Sequence, residues 1–273
     1  MSRLDGLVCL VTGSTGFAEA AALRFGAEGG SVFVVSRTAE HCEALVDRLR
    51  VGGSEAAFAT ADVTDESEVE AAVGACVERF GRIDGLFSVA GGSGRSYGDG
   101  PIHSMTADGW DRTIEINLRS QALVARAGVR RMLDQAPRPG GVRGSILLMS
   151  SVSAFHPVPE YFGTHAYAAA KGAIASLTTA MAAAYAPSGI RVNAVAPGVA
   201  ATPMARRAAT DPEIVAFAAK KQPLVGGLLD ADDVAPAGVY LLSDESRAVT
   251  GQILTIDGGW SVTSFGSGRG AIG

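Results

Sequence analysis

The chain has 273 residues, with 47% hydrophobic and 19% charged side chains and a net charge of -5. That length suits one large domain or two small ones, with ample apolar material for a buried core. The acidic balance excludes a basic footprint for nucleic acid, and no apolar run nears the ~20 residues that span a bilayer.

The opening stretch MSRLDGLVCL runs straight into a strand-like segment, so no secretory leader is expected. Short apolar runs then recur at 7–11 (LVCLV), 31–35 (SVFVV), 56–60 (AAFAT), 84–89 (DGLFSV), 145–149 (SILLM), 191–196 (RVNAVA) and 252–256 (QILTI). They are nearly continuous in apolar character rather than alternating, which marks strands covered on both faces of a parallel sheet. Helical patterns fall between them, over 16–28, 39–50, 65–80, 107–135 and 166–186. Thr64 is placed to cap the third, whose first turn is acidic, and Pro187 closes the last. The alternation predicts an α/β fold: a doubly wound, seven-stranded parallel sheet with helices on both faces. No internal repeat or long linker divides the chain, so one domain is expected over 1–273.

Cys9, Cys42 and Cys76 have no paired spacing. A disulfide framework is not expected, and a reducing cytoplasm fits best. His41, His103, His156 and His165 lack metal-ligand spacing, so no metal is expected.

Three local patterns carry chemistry. The first strand leads into VTGSTGFAEA, a turn written Gly13-x-x-Gly16-x-Ala18 that opens a helix. Such a turn presents backbone N–H groups to phosphate. Within the Ala-rich helix, Tyr167 and Lys171 are four residues apart and share a face. An ammonium ~4 Å from a phenol, at an effective dielectric of ~20, favours phenolate by ~4 kcal/mol, which is roughly three pKa units. That would bring a tyrosine into a useful range for proton transfer. The run SILLMSSVSA ends a strand in Ser150 and Ser151, at the carboxyl edge where ligands bind in open α/β sheets.

In order and spacing these elements resemble the short-chain dehydrogenase/reductase family over essentially the whole chain. The matching residues are Thr12-Gly13…Gly16, Asp62-Val63, AGG at 90–92, INL at 116–118, Ser151, Tyr167-x-x-x-Lys171, NAVAPG at 193–198, Thr202 and DGG at 257–259. The resemblance implies a Rossmann-type dinucleotide fold and an NAD(P)-dependent oxidoreductase that interconverts a secondary alcohol and a ketone. Tyr167 would be the general acid/base, Lys171 would lower its pKa and hold the nicotinamide ribose, and Ser151 would orient the substrate oxygen. Asn117 would hold a water linking Lys171 to solvent. Gly13, Ser14, Thr15, Gly16 and Phe17 would form the phosphate turn. Asp62 and Val63 would bracket the adenine, Ala90 and Gly91 would border the cofactor, and Pro197, Gly198 and Thr202 would face the carboxamide. A homotetramer or homodimer is implied.

The sequence departs from the family in two places. The glycine turn is one residue short, with Ala18 in place of the third glycine, and Val89 stands where asparagine is usual. Cofactor binding is expected to survive the first change, with Ser14 and Thr15 hydroxyls as added donors. The second removes a polar anchor. At the end of the second strand, Ser36 replaces the acidic residue that binds a ribose 2′-hydroxyl, and Arg37 follows. NADP(H) is therefore favoured, with NAD(H) possible.

Residues 203–222 are expected to form a substrate lid, 260–273 a tail, and GGSGRSYGDG (91–100) a flexible loop. Phe155, Tyr161 and Phe162 either line an apolar pocket or pack their loop. Arg206, Arg207, Lys220 and Lys221 either favour an acidic substrate or form a solvated face. Two other functions remain open at this level: an idle nucleotide-binding protein, and a non-redox lyase or epimerase on the same scaffold.

Overall fold

A computed structural model describes residues 2–263. Of the expected tail, 264–273 lie outside the described residues. The strands are β1 (Val8–Thr12), β2 (Ser31–Ser36), β3 (Ala56–Thr60), β4 (Gly85–Ser88), β5 (Gly144–Met149), β6 (Ile190–Pro197) and β7 (Ile253–Ile256). They form one sheet in the order β3-β2-β1-β4-β5-β6-β7, with every neighbouring pair parallel. The main helices are α1 (Phe17–Ala27), α2 (Ala39–Val51), α3 (Glu66–Phe80), α4 (Ala107–Ile114), α5 (Ser120–Asp134), α6 (Pro159–Phe162), α7 (His165–Tyr185), α8 (Arg206–Thr210), α9 (Pro212–Lys221) and α10 (Ala235–Leu242).

The two-residue period of a strand sorts each apolar run between two cores. Val8 and Leu10 of β1, with Ile146 and Leu148 of β5, pack on the face covered by α3, α5 and α7. Their alternates Cys9, Val11, Leu147 and Met149 pack on the face covered by α1, α2 and α10. Burying a residue of the Val or Leu class stabilises by roughly 1.5–3 kcal/mol, which explains why these runs read as apolar throughout. The strand order reverses between β1 and β4. The crevice at that reversal opens at the carboxyl ends of the strands.

Two local expectations are corrected. The cap of α3 is Asp65, whose Oδ1 accepts from the N–H groups of Ser67 and Glu68 at 2.8 and 3.0 Å. Thr64 instead donates its N–H and hydroxyl to Asp62, so the helix begins one residue later. The helix expected over 107–135 is interrupted by a π-turn at Glu115–Arg119. Asn117 sits in that turn and bonds outside the helix, which pure periodicity cannot reveal.

Candidate active site

The crevice is a cleft of about 570 Å³, lined from the β1–α1 turn, the ends of β2 to β6, the segment before α7 and the lid. It gathers every residue assigned above to catalysis or cofactor binding: Gly13 to Phe17, Ser36, Arg37, Asp62, Val63, Ala90, Gly91, Asn117, Ser151, Tyr167, Lys171, Pro197, Gly198 and Thr202.

At the phosphate turn, Gly13 and Gly16 have φ of 100° and 58°, in the range that suits glycine. A Cβ on Gly13 would lie 2.9 Å from the Ala18 Cβ, and one on Gly16 would lie 3.3 Å from the Thr202 Cβ. The missing spacer is thus absorbed by a turn that only glycine fits. Gly16 is the N-cap of α1 and supplies no side-chain acceptor, so the first N–H groups of α1 face the cleft without a cap. That cradle fits a dinucleotide diphosphate. Ser14 takes another part than expected: its buried hydroxyl donates to Ser36 Oγ at 3.0 Å and ties the turn to the end of β2.

Beyond β2, Arg37 reaches toward Asp62 at 3.7 Å with two-thirds of its side chain exposed. Burial opposes ionisation of Asp62. Hydrogen bonds from Thr64 and the Arg37 charge outweigh it and hold the carboxyl below its usual range. At the exit of β4, Thr12 holds the backbone beside Val89. Its Oγ1 accepts from the Val89 and Ala90 N–H groups at 3.0 and 3.1 Å, while Val89 itself packs on the core.

Asn117 is fully buried and its side chain is spent on backbone. Oδ1 accepts from Gly92 N–H at 3.2 Å, and Nδ2 donates to the Gly92 and Thr113 carbonyls. Its own carbonyl accepts from Gln121 Nε2 at 3.2 Å. Gln121, a buried amide that carried no sequence signal, also exchanges two hydrogen bonds with the Met149 backbone. Asn117 and Gln121 together lock the π-turn to the ends of β4 and β5. The Asn117 side chain acts as a clamp on the Gly91–Gly92 loop.

Tyr167 and Lys171 point into the cleft from one face of α7. Lys171 is buried; its Nζ donates to the Met149 carbonyl at 2.8 Å and lies 5.4 Å from the Tyr167 ring centre. Burial pushes the lysine down to about 7. The phenol is pushed up to about 12, again by burial, while a hydrogen bond from Ser151 pulls the other way. This differs from the expected lowering. The expectation assumed a charged amine, but desolvation acts on both groups and removes much of that charge. In the protein alone Tyr167 is a protonated phenol at neutral pH. Ser151 also pairs with Ser153, and Ser150 holds the Lys171 carbonyl at 2.8 Å.

The lysine makes a stability prediction. Its proton is held more weakly in the folded state than in the unfolded chain, so stability rises with pH between about 7 and the ordinary lysine range. Urea unfolding of wild type and Lys171→Met from pH 6 to 10 should show the wild type gaining on the variant as pH rises, on the order of 2–4 kcal/mol. Parallel curves would mean that the amine is not desolvated.

The loop expected to be flexible is built around Asp99. This carboxylate is buried, and its two oxygens accept from the Ala166 and Tyr167 N–H groups at 3.0 Å each. It caps α7 from a distant loop and fixes the backbone of Tyr167 itself. His165 Nδ1 accepts from Ile102 N–H and is structural. Phe162 lines the cleft, while Tyr161 stacks 4.8 Å from Phe217 of the lid. Phe155 is exposed outside the cleft. Of the four lid cations, Arg207 lines the cleft; Lys221 Nζ holds the Trp260 and Thr263 carbonyls. Among the described residues no helix is long and apolar enough to cross a membrane, and no His, Cys, Asp and Glu cluster forms a metal site.

A family model described as enoyl-(acyl carrier protein) reductase matches residues 11–261. Short-chain dehydrogenase reductase 3a of Arabidopsis thaliana is 36% identical, over 95% of this chain and 97% of its own. Cis-4-hydroxycyclohexanecarboxylate dehydrogenase of Sinomonas cyclohexanicum is 35% identical, over 93% and 96%. Among solved structures, a variant of actinorhodin polyketide ketoreductase with NADPH superposes with a TM-score of 0.83 at 30% identity, covering 96% of this chain and 99% of that one.

Proposed function

The chain belongs to the short-chain dehydrogenase/reductase family and transfers hydride between an alcohol and a ketone, and from that premise we propose that Tyr167 is its proton donor and NADP(H) its cofactor. The observation that carries the reading is the convergence of Tyr167, Ser151 and Lys171 in one cleft, which is also lined by the uncapped start of α1. In that cleft the uncapped α1 turn would hold the diphosphate, and Lys171 and Tyr167 would hold the ribose. A bound nicotinamide cofactor supplies or takes the hydride there.

The protein's own part is positioning and proton transfer. Ser151 and Tyr167 present two hydroxyls to one substrate oxygen. As negative charge grows on a ketone oxygen, Tyr167 delivers its proton there and Ser151 stabilises the developing charge. The charge of the resulting tyrosinate favours the protonated form of Lys171 beside it, and that ammonium in turn stabilises the tyrosinate. The carbon gains a hydride and the oxygen a proton, which balances the ketone against the secondary alcohol.

NADP(H) is supported by Ser36 and Arg37 at the end of β2, where no carboxylate of that strand opposes a 2′-phosphate. The NADPH in the ketoreductase structure agrees with it. Arg37→Ala should raise KM for NADPH roughly tenfold or more, leaving KM for NADH within about twofold. Steady-state kinetics with both cofactors checks this, and equal effects on the two would favour NAD(H).

A compact ring is a fitting substrate. One relative is named for a hydroxycyclohexanecarboxylate, and Phe162 and Met204 offer this cleft apolar walls. 4-Oxocyclohexanecarboxylate with NADPH, followed at 340 nm, is the first assay; oxidation of NADPH matched by alcohol product supports the reading. Association as a homodimer or homotetramer is supported by exposed Phe155, Leu254 and Val262. A cytoplasmic setting is supported by three buried, unpaired cysteines.

A further inference from the structure

The outer wall of the cleft carries two arginines from separate elements. Arg95 comes from a short turn at Arg95–Tyr97, four residues before Asp99. Arg207 comes from α8 in the lid. Both side chains line the cleft, and both donate to one acceptor, the carbonyl of Tyr161, at 3.0 and 2.8 Å. Tyr161 lies in α6, between β5 and α7.

Two guanidinium groups on one neutral carbonyl are an unbalanced arrangement. Each offers five donors and spends one at this point. Neither has a carboxylate within 4 Å among the described residues, although many other arginines of the chain do, from Arg3–Glu28 to Arg138–Asp244. Asp99, the acid nearest to Arg95 in the loop, is committed to the start of α7. Desolvation and the neighbouring Arg207 charge weaken the hold of Arg95 on its proton, and the more distant Asp99 charge offsets only part of this. Pairs of this kind match the planar, bidentate geometry of a carboxylate.

We propose that Arg95 and Arg207 form an anion subsite at the outer end of the substrate cleft, so that the substrate is a hydroxy or oxo acid whose carboxylate docks there. The proposal rests on the dehydrogenase reading above and sharpens it. Because Asp99 fixes both the Arg95 loop and the backbone of Tyr167, the distance from the anion subsite to the proton donor is set by the fold. Because Arg207 belongs to the lid, an acid bridging the two arginines would also hold the lid against the Arg95 loop.

Binding and turnover separate the two claims. Isothermal titration of the NADPH-loaded enzyme with cyclohexanecarboxylate and with the uncharged cyclohexanecarboxamide reads the subsite alone. The acid should bind at least tenfold more tightly than the amide. Arg95→Met, Arg207→Met and the double variant should each remove that preference while leaving amide binding unchanged. Turnover of 4-oxocyclohexanecarboxylate and 4-methylcyclohexanone reads the dehydrogenase. The acid should have the lower KM, and the arginine variants should raise that KM at least tenfold with kcat within threefold. Acid and amide binding alike, no binding of either, or variants that weaken both equally would overturn the subsite; the last result would make the arginines tethers of Tyr161 only. Acid-selective binding without turnover of either ketone would leave the subsite standing and overturn the dehydrogenase reading. Turnover of both ketones with equal KM would do the reverse.

Discussion

Replacing Tyr167 with phenylalanine will lower kcat for ketone reduction by roughly 10²–10⁴-fold, with NADPH affinity changed by only a few-fold. Phenylalanine keeps the ring against Lys171 and the packing of α7, and removes one hydroxyl. That hydroxyl is the group hydrogen-bonded to Ser151 and protonated at neutral pH, since burial holds it near 12. Ser151 alone can bond the substrate oxygen, but its aliphatic hydroxyl is a much weaker acid than the phenol and a poor proton donor. The loss should therefore fall on kcat. Single-turnover absorbance at 340 nm measures it, and fluorescence titration of NADPH measures binding in the same samples. A variant that keeps more than a third of wild-type kcat would remove Tyr167 from the chemistry.

The second large effect is expected at Asp99, far from the reaction in sequence. Its carboxylate takes two N–H groups of the first turn of α7, which have no partner within the helix. A buried, charged cap of two donors stabilises by about 2–4 kcal/mol. Asp99→Ala should lower Tm by roughly 5–15 °C in a chain of this size. It should also lower kcat at least tenfold at a temperature where the variant is folded, because Tyr167 N–H is one of the two donors. KM for NADPH should move by only a few-fold, because the phosphate turn is on another element and only the ribose contact of α7 is disturbed. Asp99→Asn keeps one acceptor and should recover part of kcat. A fall in Tm with kcat intact would make Asp99 a stabilising cap without a positioning role.

The strands were legible because a buried parallel sheet leaves no polar face, so each run from LVCLV to QILTI reads as apolar. The cleft residues were legible where they follow a strand at a fixed spacing, as Ser151 follows β5, or share a helix face, as Tyr167 and Lys171 do. Asp99 was not, because an acid among glycines reads as turn chemistry and its partners are 67 and 68 residues away. Gln121 was hidden for the same reason: its bonds to Met149 exist only once β5 and α5 pack. Arg207 was visible as a charge, yet its neighbour Arg206 reads identically; the helical turn decides which one meets the cleft. The direction of the Tyr167 shift failed for a different reason. Spacing places an amine beside a phenol, but burial decides whether that amine keeps its charge, and a sequence does not display burial. How the shortened turn closes was also hidden, because it depends on the positive φ of Gly13 and Gly16, and the Thr12 hydroxyl that holds the backbone at Val89 is 77 residues away.

A crystal structure of the NADPH complex tests the account most directly. The diphosphate should lie on the N–H groups that open α1 at Gly13–Gly16, the 2′-phosphate beside Arg37, and the nicotinamide C4 within about 5 Å of the Tyr167 hydroxyl. A diphosphate held elsewhere, or a ring placed so that Tyr167 and Ser151 cannot reach an oxygen on the carbon facing C4, would contradict it.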